Sequence, residues 1–344
     1  MDSKEKAEIL KTAINDFVAN PTEANQDAAK EAWLEAREPY GQTEAYRFYA
    51  GPIDDEDGPE GLLNAWPLDE AYIDYVVDGE DTLKNGIING DMEINATVLE
   101  NANESGSEEN ISVGYHAIEF LLWGQDNTDP SEKMAGQRTS ADFDTSVEDG
   151  IENEDRRGEY LEICADLLVQ HLDLLVNAWA PSVDGNYRDT FTSLSDSAAF
   201  SKMFTGIGVL AKSELAGERI YVAYDNQDQE DEHSCFSDNT HRDIYLNFKG
   251  IANVYLGEYG SVSGPSLSDK VAAENSELDA EIKSQIEEVE ADINAMATPF
   301  DFAITDQGSR AKVLEIVNGL QDLGDKFAEA AAELGLTVNT AIPE

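Results

Sequence analysis

Gly114-Tyr115-His116-Ala117-Ile118-Glu119-Phe120-Leu121-Leu122-Trp123-Gly124 is an apolar run carrying one imidazole and one carboxylate three residues apart. Three residues is almost one helical turn, so His116 and Glu119 project from one face of a helix. Ile118, Phe120, Leu121, Leu122 and Trp123 around them call for burial, which makes this stretch a core helix, opened by Ser112. A charge drawn into such a core without a partner costs several kcal/mol. The usual partners are each other, an arginine or a metal ion. Taken alone, the spacing describes a satisfied core His–Glu pair, and the rest of the chain decides whether it is more.

Outward from this stretch the pattern stays helical. Residues 3–19 place Ala7, Leu10, Ile14 and Phe17 at 3–4 spacing, stopped by Asn20-Pro21. Thr22 caps a second helix that passes Trp33 and bends or ends at Pro39. Residues 51–68 form a Gly- and Pro-rich loop. Within it, Asp54-Asp55-Glu56-Asp57-Gly58 lacks the alternating ligands and closing Glu of a calcium loop and reads as a solvated turn. Short helices are expected at 69–77 and 91–103, a polar excursion at 125–155, and a long helix at 157–179 in which His171 is structural or solvent-facing.

The small residues of Gly206 to Ala216 favour close helix packing, and Glu214 and Glu218 lie four apart on the same face. Helices at 243–255, 278–295 and 310–334 complete the chain, and no segment shows sustained strand alternation. The fold class is therefore all-α. We expect two related helical bundles packed together with a site at their interface, divided as 1–150 and 151–344.

The charge balance is extreme: 72 acidic against 22 basic residues give −50 over 344 residues. The acids are interspersed with Leu, Ile, Trp and Tyr, as on solvated helix faces. Such a surface repels nucleic acid and anionic membrane, and adaptation to a salty environment explains it without any specific cation site. No apolar run approaches the about 18 residues of a membrane span. Met1-Asp2-Ser3-Lys4-Glu5 leads straight into a helix, so an export signal is expected to have been removed. Cys164 and Cys235 are compatible with one disulfide or two thiols.

A second constellation is Glu230-Asp231-Glu232-His233-Ser234-Cys235-Phe236-Ser237-Asp238-Asn239-Thr240-His241-Arg242-Asp243, which holds two of the four histidines. Ser237 or Asp238 is placed to cap the next helix. Histidine mixed with carboxylates also suits non-haem iron, with zinc the weaker match. There is no Cys-x-x-Cys and no HExxH: His116-Ala117-Ile118-Glu119 lacks the second His and the adjacent general base. No catalytic residue is assigned.

Gly114-Tyr115-His116-Ala117-Ile118-Glu119 resembles the GxHxxE signature of the imelysin family. Arg37-Glu38-Pro39-Tyr40-Gly41, the stretch Arg47 to Asp54, Trp66-Pro67-Leu68 and the stretch Glu230 to Asp243 are also similar to that family, particularly its iron-regulated protein A branch. The resemblance runs in order from about Trp33 to Leu256. It implies two helical bundles with a site between them, export to the periplasm or lipid anchoring at the bacterial envelope, and a link to iron acquisition. Carried over by position, it marks Gly114, His116 and Glu119, then His233, Asp238 and His241, and Arg37 and Arg47.

These residues support three readings. The first is an envelope iron-binding protein with His116, Glu119, Asp238 and His241 as metal ligands, or with Glu214 and Glu218 completing the shell. Arg37 and Arg47 would neutralise buried carboxylates or hold an anionic ligand, and the partners would be a metal ion or iron chelate and an iron-uptake component of the envelope. The second is a metallopeptidase, implied by the family's classification. It needs a metal-bound water and a placed general base, and the residues offer neither. The third is a non-catalytic module that binds a haem, siderophore or partner protein, with His116 and Glu119 as a structural pair.

Overall fold

The computed structural model describes residues 1–56, 58–79, 81–147 and 151–342. Asp57 of the acidic turn and residues 148–150 of the polar excursion, where the sequence divides the expected halves, lie outside the described residues. The longer helices are α1 (Asp2–Ala19), α2 (Glu23–Gly41), α3 (Gly114–Trp123), α4 (Glu154–Ala178), α5 (Asp196–Val209), α6 (Thr240–Leu256), α7 (Ser276–Ala295) and α8 (Arg310–Glu333). Short helices and loops join them. Two small antiparallel hairpins are the only sheets among the described residues: β1 (Val76–Asp78) with β2 (Asp81–Leu83), and β3 (Glu258–Tyr259) with β4 (Val262–Ser263).

The chain folds into two compact units assembled from interleaved segments. The first comprises Met1–Pro39, Pro59–Asn177 and His233–Asn239; the second comprises Tyr40–Gly58, Ala178–Glu232 and Thr240–Glu344. The units thus trade segments where the sequence suggests one cut near residue 150. Helix α4 and the His233 segment belong with the first unit, and the Arg47 stretch belongs with the second.

In the first unit, α1 buries Leu10, Ile14 and Phe17 on one stripe, and Phe17 meets Phe143 with ring centroids 4.8 Å apart. All ten residues of α3 are buried, as expected for a helix apolar on every side. Trp33 from α2 packs edge-on against Trp123 at 5.3 Å, and its indole N–H donates to the Tyr115 carbonyl. An ionic knot also lies in this unit. The Asp74 carboxylate accepts from Arg138 Nη1 and from Arg157 Nε and Nη2, at 2.5, 2.7 and 3.0 Å. Burial opposes the charge of Asp74, but the two guanidinium groups outweigh it and hold its pKa at about 2.

In the second unit, α5, α6, α7 and α8 share one apolar core that includes Phe204, Phe248, Ile286, Leu320 and Phe327. A Cβ at Gly324 of α8 would lie 2.6 Å from the Lys212 Cβ, so only glycine lets α8 approach that closely. The helical path of α5 continues as a π-helix over Leu210–Tyr221.

Two local expectations change, and two open ones narrow. The helix at 69–77 ends at Ile73, and β-branched Val76-Val77 enter a hairpin turning at Gly79, whose φ is +61°. Pro39 does not end α2, which runs on to Gly41, because so near the end it removes a single ladder hydrogen bond. Helix α6 begins at Thr240, so Ser237 is not its cap. Cys164 and Cys235 are not joined by a disulfide; Cys164 is buried with its Sγ 3.6 Å from the Ser112 carbonyl.

Candidate functional site

Helix α3 is anchored at both ends by glycine. Gly114 has φ +90°, and a Cβ there would lie 2.7 Å from the Leu63 carbonyl oxygen, so any other residue is excluded on two counts. Gly124 (φ +71°) closes the helix, its N–H donating to the Phe120 carbonyl at 2.7 Å. These ends fix the rotation of α3 and with it the positions of His116 and Glu119.

His116 Nδ1 and Glu119 Oε2 are 2.8 Å apart, both side chains essentially solvent-free. The other carboxylate oxygen, Glu119 Oε1, accepts from the Ser237 backbone N–H at 3.0 Å and from the Ser237 hydroxyl at 2.7 Å. Ser237 thus works as a clamp on Glu119 instead of a helix cap. The same segment carries His233, which is 2 % exposed and meets the His116 ring edge-to-face at a centroid distance of 4.7 Å. Trp66 flanks His233 edge-on at 5.7 Å, and Asn64 Nδ2 lies 3.5 Å from His233 Nε2. Arg37 Nη1 donates to Asn64 Oδ1, while its guanidinium lies 5.0 Å from the Tyr115 ring centroid and 5.5 Å from that of Trp33.

The first unit therefore gathers Gly114, His116, Glu119, His233 and Arg37, all of them candidates from sequence. It adds Asn64, Trp66 and Ser237, which sequence reasoning missed as site residues. Trp66 was visible in the Trp-Pro-Leu motif, whereas an Asn and a Ser carry no periodic signal of their own.

Arg47 and Glu214 meet in the second unit. Arg219 Nη2 binds Glu44 Oε2 at 2.6 Å and Glu214 Oε1 at 2.9 Å, and its Nη1 donates to Asn247 Oδ1 at 2.8 Å. Arg47 Nη1 lies 3.3 Å from Glu44 Oε2 and 3.7 Å from Glu214 Oε1. Burial acts against the Arg219 charge, and Glu44 and Glu214 more than offset it, so its pKa lies above the ordinary arginine value. The i→i+5 ladder of the π-helix aligns Glu214 with Arg219, and Glu218 is exposed. The face that Glu214 and Glu218 were expected to share is thereby split. Asp238, within the His233 segment, has φ +58°, and His241 lies in the first turn of α6, in the second unit. His171 is held by Glu100, Nε2 to Oε1 2.9 Å, in keeping with a structural role.

Among the described residues, no group of three or more His, Cys, Asp or Glu side chains is placed to hold a metal ion. What the site offers is two imidazoles in contact, one of them oriented by a carboxylate that is itself held from outside. Carboxylate-oriented histidine is the usual form of a metal-ligating imidazole, which then binds through Nε2.

The fold and site define an all-α protein built around a buried GxHxxE helix. A family model described as Imelysin matches residues 1–327, and the chain belongs to the imelysin family. It is 24% identical over 326 residues to iron-regulated protein A of Synechococcus elongatus, covering 92% of this chain and 77% of that protein. The fold is similar to the crystal structure of a candidate iron-regulated protein A precursor from Parabacteroides distasonis, with TM-score 0.62 and 20% identity over 95% of this chain and 90% of that one. It is also similar to an imelysin-like protein from Psychrobacter arcticum, with TM-score 0.69 and 12% identity over 98% of this chain and 91% of that one.

Proposed function

We propose that this imelysin-family protein is exported to the cell envelope and binds an iron-containing ligand there in the service of iron acquisition. The observation that carries the reading is the contact of His116 and His233 with ring centroids 4.7 Å apart, His116 being oriented by Glu119. Two neutral imidazoles are suitable donors for iron in a buried site, since they add no uncompensated charge. Glu119 is committed to His116 and Ser237, so it acts as the orienting carboxylate and the imidazoles are the donors.

Two protein donors leave most of an iron coordination sphere to be filled by the ligand itself. The cargo that fits is accordingly an iron chelate rather than a bare ion. The likeness to iron-regulated protein A supports the link to iron. No helix among the described residues is long and apolar enough to cross a membrane.

Calorimetric titration with ferric citrate and with ferrous ion tests this. The chelate is expected to bind the wild type saturably and to lose at least about tenfold in affinity in His116→Ala and in His233→Ala, a difference of about 1.4 kcal/mol each. Equal affinity in folded variants, or tight binding of the bare ion alone, would count against it.

A further inference from the structure

The second unit contains a cavity of about 420 Å³ that the imelysin site does not use. Five aromatic rings line it: Tyr46, Tyr49, Trp179, Phe191 and Tyr259. Trp179 organises the cluster, with centroids 6.0 Å from Tyr46, 5.7 Å from Phe191 and 5.0 Å from Tyr187. Tyr46 and Tyr259 are nonetheless 45% and 43% exposed, and Val262 of the neighbouring hairpin is 68% exposed. Large apolar groups held open around a cavity of ligand size mark a binding site more often than a packing accident.

Charge selects the ligand. Glu258 is the one ionisable acid or base, tyrosines aside, among the described lining residues, and no Lys, Arg or His is among them. Asp54 and Asp55 add negative potential at the Tyr187 hydroxyl, and Asp54 at that of Tyr49 as well. Lys202 is tied by its Nζ to the Tyr49 carbonyl at 2.7 Å, with that Nζ 5.4 Å from the Tyr49 ring centroid. The rings of this cluster thus already receive a cation at one face.

An anion would meet Glu258 and a chain of net charge −50. A neutral apolar ligand would desolvate Glu258 with nothing in exchange. Small inorganic cations keep their water and gain little from ring faces. A methylated ammonium is weakly hydrated and gains from each aromatic face it touches.

We propose that this cavity binds a small quaternary-ammonium compound, its charged head against the aromatic rings and Glu258 at the mouth. Glu258 sits on the exposed β3–β4 hairpin and Tyr259 beside it, so both can be changed without disturbing the core. The proposal is independent of the His116 site and stands or falls without it.

The test uses the full chain and titrates choline against its neutral carbon isostere, 3,3-dimethylbutan-1-ol, following heat and tryptophan fluorescence. Saturable choline binding is expected, with the isostere weaker by about tenfold or more, as a cation–π contribution of about 1–2 kcal/mol requires. Glu258→Gln and Tyr259→Ala should each weaken choline several-fold with the melting temperature unchanged. Isostere binding as tight as choline, no saturable binding of choline, or indifference to both variants would overturn it.

Discussion

Two of the polar networks buried among the described residues are similar in size and opposite in character. In the second unit, Glu44 and Glu214 face Arg219 and Arg47: two carboxylates, two guanidinium groups, permanently charged and mutually neutralised. In the first unit, Glu119 faces a histidine and a serine, and a second histidine stands against the first. Arginine cannot give up its proton, so the first kind of network can only hold structure. Imidazole can change protonation and can ligate, so the second kind can act.

The largest effect that would break this contrast is at Arg219. Arg219→Ala leaves Glu44, 1% exposed, facing the weaker contact of Arg47, and should cost about 3–5 kcal/mol in urea unfolding. His116→Ala, with Glu119 still held by Ser237, should cost only about 1–3 kcal/mol. Equal losses would mean that both networks are structural.

Asp74 sharpens the point with a pH dependence. Its folded pKa of about 2 lies below the ordinary 3.8, so its contribution is fully present above pH 4 and is lost as pH falls toward 2. Acid unfolding should therefore remove about 2 kcal/mol of stability across that window. Asp74→Asn, already destabilised at neutral pH, should show a flattened slope there. An unchanged slope would dissociate Asp74 from its two arginines.

Surface pairs supply the smallest effect. Lys6 and Glu35 lie 2.6 Å apart but are 38% and 51% exposed, and Lys6→Ala should leave the urea unfolding midpoint essentially unchanged. A larger loss would show that charge pairing as such, and not its burial, sets the scale.

The helices were legible because burial imposes a period on them: Leu10, Ile14 and Phe17 in α1, or the unbroken apolar run of α3. The His116–Glu119 pair was legible for the same reason, as polar residues placed where the period forbids them. What escaped were contacts made by chain segments far apart in sequence. Ser237 reads locally as a helix cap, and nothing in its neighbourhood announces a carboxylate 118 positions earlier. Asn64 and Arg219 are equally silent, since their partners are set by tertiary packing. The π-helix is invisible in the sequence too, because Glu214 and Glu218 satisfy an α spacing that the backbone does not adopt.

The most direct test of the central claim is anomalous diffraction at the iron edge from crystals soaked with ferric citrate. The account predicts a single strong peak within bonding distance of the His116 and His233 imidazoles, with Glu119 still bound to His116 and Ser237. A peak elsewhere on the chain, or a loaded crystal with both rings unligated, would contradict it.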